Sequence, residues 1–217
     1  SSIEQENYDV LVFCPRSIEG KIKIPDFIEI IGPNAFENCK KIQQVEFSPD
    51  SKLRIIGKDS FHGSSITSIS IPPKVKIIGE RSFQETDLLQ KIDFHPNSIL
   101  EKISCNAFDG SSIVNISLPS CLIEIEENAF YLTQNLFEVR FLEDSQLQII
   151  GESAFASSKI KKINIPKHIK TISENCFEFS KIEQIDFQTD SELVFIEKAA
   201  FRKSNIQSIK IPKTVKI

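Results

Sequence analysis

The chain has 217 residues, 40% hydrophobic and 26% charged, which fits a globular fold of one large or two small domains. Its formal net charge of −4 comes without any basic block, which argues against nucleic acid as a partner. There are 36 Ile and 17 Phe but no Trp or Met, and the branched Cβ of so many Ile favours β structure.

In chain order, residues 1–17 form a lead-in or first coil, and the first expected strand is "KIKI" at 21–24. The apolar run "VLVFC" in the lead-in is too short for a signal core or a membrane span, so no direct membrane insertion by this segment is expected. The chain lacks an initial Met and stops in mid-pattern, which suggests a piece of a longer array.

From there Phe recurs at 36, 61, 83, 108, 130, 155, 177 and 201, at spacings of 25, 22, 25, 22, 25, 22 and 24 residues. Five residues before each stands an Ile, from Ile31 to Ile196, and a small residue comes just before the Phe. Three residues after each Phe comes Cys39, Ser64, Thr86, Ser111, Thr133, Ser158, Ser180 or Ser204. No unit is large enough to bury its own Ile and Phe. The pattern therefore predicts one solenoid domain over residues 18–217, stabilised by stacking of eight to nine units.

After each Phe follows a segment of the form apolar-x-x-apolar-x-apolar, from "IQQVEF" to "IQSIKI". Its last four residues alternate with period two, as a strand with one buried face requires. With "KIKI" this gives about nine strands, expected as a parallel concave sheet in a mainly β fold. The Ala-Phe stretch has no room for an ordinary helix, so 3₁₀ or single α turns and short strand segments are expected on the convex side. The small column after the Phe should face inward and hydrogen-bond to backbone of the adjacent coil.

Strands end alternately in Ile/Leu-Pro and in Phe. Proline removes a donor and ends the ladder in a short turn. Phe-ended strands step through "SPDSKL", "HPNSIL", "LEDSQL" and "QTDSEL", where Asp50, Asn97, Asp144 and Asp190 are expected to cap their own turns through the side chain.

Residues flanking the central apolar position of each strand should point away from the core. The candidate partner-binding set is Lys21, Lys23, Gln44, Glu46, Lys91, Asp93, Glu138, Arg140, Lys162, Asn164, Gln184 and Asp186. Ser68/Ser70, Asn115/Ser117 and Ser208/Lys210 fill the remaining strands. This face is polar, mixed in sign and free of aromatic residues, which argues against a carbohydrate platform. Exposed apolar contacts are expected instead near the turns, at Tyr131, Phe137 and Phe179.

No residue is assigned to catalysis, to a cofactor or to a metal. His62, His95 and His168 fall at three different repeat positions. One carboxylate per pair of units along the loop edge supplies too few oxygens for calcium. The Gly at 32, 57, 79 and 151 is replaced in other units by Ser104, Glu126, Ser173 and Glu197, so neither a phosphate cradle nor a positive φ is expected there. The five Cys include no CxxC pair and indicate neither a disulfide framework nor zinc. Cys39 and Cys176 are expected in the core, Cys14 and Cys121 as exposed thiols.

The combined pattern Ixx[IV]x[IF]P-xx-Ixx-IG-xx-[AS]F-xx-[CST] resembles the leucine-rich repeats of the BspA-like (Treponema-type) family. The opening "YDVLVFCPRSIEGKIKIPDFIEIIGPNAFENCKKIQQVEF" is similar to the paired repeats of that family's expansion in parasitic protists. The resemblance implies a curved solenoid on a cell-surface or secreted protein, without catalytic residues or cofactor. It further implies adhesion to, or binding of, a protein, host or matrix partner. The other reading of the same solenoid is an intracellular scaffold. The open unit at "TVKI" would be covered by further repeats, by a cap or by end-to-end self-association.

Overall fold

A computed structural model describes residues 9–216. Residues 1–8 of the lead-in and Ile217 of "TVKI" lie outside the described residues. Each coil gives one long and one short strand to two parallel ladders. The long strands are Gly20–Ile24, Ile42–Phe47, Ser68–Ile71, Lys91–Phe94, Asn115–Leu118, Glu138–Phe141, Lys162–Ile165, Gln184–Phe187 and Ser208–Ile209. The short ones are Val10–Leu11, Ile30–Ile31, Ile55–Ile56, Ile77–Ile78, Lys102–Ile103, Glu124–Ile125, Ile149–Ile150, Thr171–Ile172 and Phe195–Ile196. The molecule is a parallel β-solenoid of about nine turns, with no helix among the described residues.

The core is a set of columns running along the stack. The rings of Phe36, Phe61, Phe83, Phe108, Phe130, Phe155, Phe177 and Phe201 lie nearly parallel, with neighbouring centroids 4.8 to 5.8 Å apart. All but Phe201 are at most 1% exposed. The Ile column from Ile31 to Ile172 is equally buried, because every second residue of each short strand points inward.

The first coil departs from the sequence-based expectation. Cys14 N–H donates to the Ala35 carbonyl at 2.8 Å, just as Phe36 N–H donates to Ser60 at 2.6 Å. Cys14 therefore takes the Phe position in a shortened coil, and it is buried rather than exposed. Cys39 and Cys176 lie in the core as expected, and Cys121 is only half-buried.

Opposite the long strands the chain forms consecutive β-turns, the turn alternative rather than the 3₁₀ one. Every second amide bonds within its own coil, such as Ala35 to Gly32 and Glu37 to Asn34. The intervening amides reach the next coil, Asn34 to Lys58 and Asn38 to His62. Each unit places the residues two before and two after its Phe at positive φ, for instance Asn106 at 55° and Gly110 at 65° around Phe108. Gly57 is not one of these positions. A Cβ there would stand 2.5 Å from the Ile31 carbonyl oxygen, so this Gly serves close approach between coils.

The small column bonds within its own coil, not to the neighbour. Thr86, Thr133 and Ser180 hydroxyls each donate to the carbonyl of the Phe three residues earlier, at 2.7 Å. The turn folds the i−3 carbonyl back over the same residue, whose amide it also accepts, as from Ser180 N–H to Phe177 at 3.2 Å. The buried hydroxyls of Ser64, Ser111 and Ser158 have no partner. An unpaired buried hydroxyl is destabilising, so Ser111→Ala is expected to leave stability unchanged or raise it by up to about 1 kcal/mol. Thr133→Ala, which breaks a made bond, should lower it by about 1 kcal/mol, and urea titration of both variants measures the two effects.

In the loops after Phe-ended strands, the serine and not the preceding Asp or Asn holds the turn. Ser51, Ser98, Ser145 and Ser191 each accept, through Oγ, the N–H of the Leu two residues later, at 3.3 to 3.4 Å. This corrects the expected capping role of Asp50, Asn97, Asp144 and Asp190: the serine Oγ sits inside the turn, where Ser51 and Ser145 are buried.

The long-strand ladder alternates in extent. From a Pro-ended to the next Phe-ended strand it runs over at least four residues, as in Ser68↔Lys91 to Ile71↔Phe94. Across the following step only one or two residues pair: Gln44↔Ser68 with Val45↔Ile69, and Asn115↔Lys91. Strands Glu138–Phe141 and Lys162–Ile165 lie side by side with no ladder at all. At that junction the short strands Ile149–Ile150 and Thr171–Ile172 are also unpaired, and Ser173 Oγ donates to the Ile150 carbonyl at 2.6 Å. The register is kept where these strands pair, but the proline after each Pro-ended strand has no N–H to donate back, whereas His95 and Gln188, in the same place after Phe-ended strands, donate to the Ile71 and Ile165 carbonyls. The solenoid is thus a stack of coil doublets.

Candidate interaction surface

The long-strand face carries its outward side chains in two columns. Register places Lys21 beside Gln44 and Lys23 beside Glu46. It then sets Ser68 beside Lys91 and Ser70 beside Asp93. Further along, Glu138 and Arg140 face Asn115 and Ser117, and Lys162 and Asn164 face Gln184 and Asp186. The twelve predicted residues all fall on this face, exposed or half-buried.

Their charges are largely matched within the face. Lys21 pairs with Glu46, Lys91 with Asp93 at 2.7 Å, and Arg140 with Glu138 at 2.9 Å. Lys162 pairs with Asp186 at 2.9 Å, and Gln184 Nε2 donates to the same carboxylate at 2.9 and 3.0 Å. The Lys162 ammonium, followed by the Gln184 amide, holds the Asp186 carboxyl below its ordinary range. Exposed pairs of this kind contribute little to stability, so their arrangement is available for recognition.

The structure brings some of these residues into one concavity and leaves others along the row. Ser68 and Ser70 are short, and the face dips where they stand. Lys23, Gln44, Glu46, Ser68 and Ser70 line a trough of about 370 Å³. It shares Phe47, Ser48, Pro49 and Ser70 with a notch of about 430 Å³, walled by Pro72, Pro73, Asp93, Phe94 and His95. The alternating outward positions of this face carry no aromatic residue. The structure adds half-buried Phe47 and Phe94 from its edge, which point inward with the core but stay reachable from the side. Their signal in the sequence is the Phe that ends every second strand. Lys21 and Lys91 line neither hollow, and the other candidates, Glu138, Arg140, Lys162, Asn164, Gln184 and Asp186, continue the row across the unpaired junction.

Of the expected exposed apolar contacts, Phe137 and Phe179 are 51% and 46% exposed, and Tyr131 is half-buried. Lys203 Nζ lies 4.9 Å from the Phe179 ring centroid, a cation–π arrangement on the turn side. His62 lies near Asp59 and Glu85, and His168 near Glu192, in separate coils. No group of three or more His, Cys, Asp or Glu among the described residues could hold a metal ion. No helix among the described residues is long and apolar enough to cross a membrane. The surface can offer hydrogen bonds, paired charges and a small apolar notch on a rigid frame.

The profile of the BspA type leucine rich repeat region matches residues 12–104 and 101–217, in six copies. No curated protein matches the chain significantly in sequence. Among solved structures, the pneumococcal vaccine antigen PcpA superposes with a TM-score of 0.65 at 24% identity, over 90% of this chain and 51% of the antigen. The chain thus spans about half the length of that protein. A leucine-rich repeat protein from Bacteroides ovatus gives a TM-score of 0.60 at 17% identity, covering 93% of this chain and 74% of that one. The T. pallidum leucine rich repeat protein gives 0.52 at 18% identity, over 81% and 68%. At these identities the likeness is one of fold.

Proposed function

We propose, for a chain that belongs to the BspA-type leucine-rich-repeat family, that it is a non-enzymatic interaction module of a cell-surface or secreted protein, which binds a protein or matrix partner through its long-strand face. The observation that carries this reading is the row of outward polar pairs on stacked strands, deepened into a trough at Ser68 and Ser70. A stack of strands fixes side-chain spacing with little conformational freedom left to lose, which favours recognition over a broad area. Trough and notch together supply the apolar patch and polar rim of an ordinary protein interface.

Reversing Glu46, Asp93, Glu138 and Asp186 to Lys tests the face. With immobilised chain and a panel of purified matrix glycoproteins as probes, the variant is expected to bind about tenfold or more weakly than wild type, through loss of charge complementarity. An unchanged melting curve would show that the variant is folded, and undiminished binding would move the site to the edges or the turn side. Labelling of intact cells with a membrane-impermeant reagent separates surface display from an intracellular scaffold.

A further inference from the structure

Cys14 and Cys39 are both buried, 5% and 1% exposed, in the same end of one core cluster. Cys14 occupies the Phe position of the first coil, and Cys39 follows Phe36 by three residues in the next coil. The Cys14 N–H to Ala35 O bond, at 2.8 Å, holds the two coils together there, Cys14 Sγ lies 4.0 Å from the Pro15 carbonyl, and the two thiols are near enough to shift each other's titration. A Phe at position 14 would fill this space; the smaller Cys leaves Cys39 facing a second thiol. The other three cysteines are engaged elsewhere. Cys105 Sγ lies 3.4 Å from Glu126, Cys121 Sγ 3.0 Å from the Ser98 carbonyl, and Cys176 is wholly buried in another coil.

We propose that Cys14 and Cys39 are a disulfide-forming pair that clamps the first coil onto the second when the chain folds in contact with a small-molecule disulfide. Five cysteines without a CxxC pair carry no framework pattern, so the pairing shows only in the fold. Burial pushes the Cys14 thiol up to about 11, while Arg16 and the Cys14 thiol offset part of the burial that raises Cys39. Burial raises both thiols in the closed fold, so reaction belongs to the stage before the first coil closes. The Cys39 thiolate attacks one sulfur of the oxidant, forming a mixed disulfide and releasing one small thiolate. Cys14, deprotonated by solvent base, then attacks the Cys39 sulfur and releases the second thiolate. In sum, two protein thiols and one small disulfide give one protein disulfide and two small thiols, each leaving thiolate taking up a proton.

The test refolds the reduced, denatured chain in a mixture of oxidised and reduced glutathione, alkylates it and maps the tryptic peptides. The expected result is one disulfide, Cys14–Cys39, with Cys105, Cys121 and Cys176 alkylated. Amide exchange at Leu11 and Cys14 should slow about tenfold or more relative to the reduced protein, because the first coil can no longer open freely. Cys39→Ser, which places at 39 the residue found at 64 and 111 of the same column, should fold and show neither the bond nor the slowing. Five free thiols in the folded wild type, a bond to any other cysteine, or a mapped Cys14–Cys39 bond with unchanged exchange would each overturn the proposal.

Discussion

Phe108→Ala should lower the unfolding free energy by about 3–5 kcal/mol, the cost of deleting a fully buried ring. Its ring stacks between Phe83 and Phe130 with centroids 5.2 Å away on each side, and the residue has no exposed surface. In a solenoid each coil touches only its neighbours, so the cavity weakens two interfaces at once. Urea titration followed by circular dichroism measures the effect. Phe201→Ala provides the comparison: Phe201 is half-buried and stacks on one described ring, Phe177, at 5.8 Å, so a smaller loss is expected. Equal losses, or none at Phe108, would mean that the ring column does not carry the core.

The next largest effect is expected at Asp59. Its carboxylate accepts two bonds from Arg81, from Nε at 2.8 Å and from a terminal guanidinium nitrogen at 3.0 Å, and its side chain is only 10% exposed. Asp59 also sits at φ 53°, a conformation that Asn adopts at lower cost than Ala. Asp59→Asn therefore removes the charge without straining the turn, and about 1.5–3 kcal/mol should be lost, as for a hydrogen bond to a charged group. Asp59→Ala should cost more. The Arg81 guanidinium holds the Asp59 carboxyl below its ordinary value of 3.8. The folded state thus binds this proton less readily than the unfolded state. The stability from the pair is complete above about pH 3.8 and is lost as pH falls below it, through the lowered folded value. Thermal melts should show wild type and Asp59→Asn converging across that range and separated at neutral pH.

Much of the architecture was legible because it rests on side chains that must be apolar. The Phe and Ile columns and the alternating strands follow from burial, and burial leaves a clear imprint on residue type. The left-handed turn positions were not legible. They are occupied by Arg81, Glu85, Leu132, Phe179 and Lys203 as well as by Asn and Gly, because hydrogen bonds to the next coil fix the backbone whatever the side chain. Asn34, Asn106, Asn128 and Asn175, each two residues before a Phe, with Asn38, Gly63 and Gly110 two after one, were the available hint. The place of Cys14 was hidden by the shortened first coil, which drops the Phe that anchors every later unit. The outward residues of the face could be named from alternation alone. That Ser68 and Ser70 hollow it into a trough depends on the longer side chains standing to either side, which only packing reveals.

The unpaired junction between Glu138–Phe141 and Lys162–Ile165 also has a mechanical meaning. Pulled along its axis, a stack of this kind shares tension among its inter-coil bonds, and it yields where they are fewest. At this junction both ladders are interrupted. The load there falls on the turn bonds, such as Phe155 to Cys176 at 3.0 Å, on the Phe155–Phe177 stacking and on the Ser173 hydroxyl. The array would part first between these coils, as two blocks that keep their internal order. A tether built this way releases length in one defined step before either block unravels.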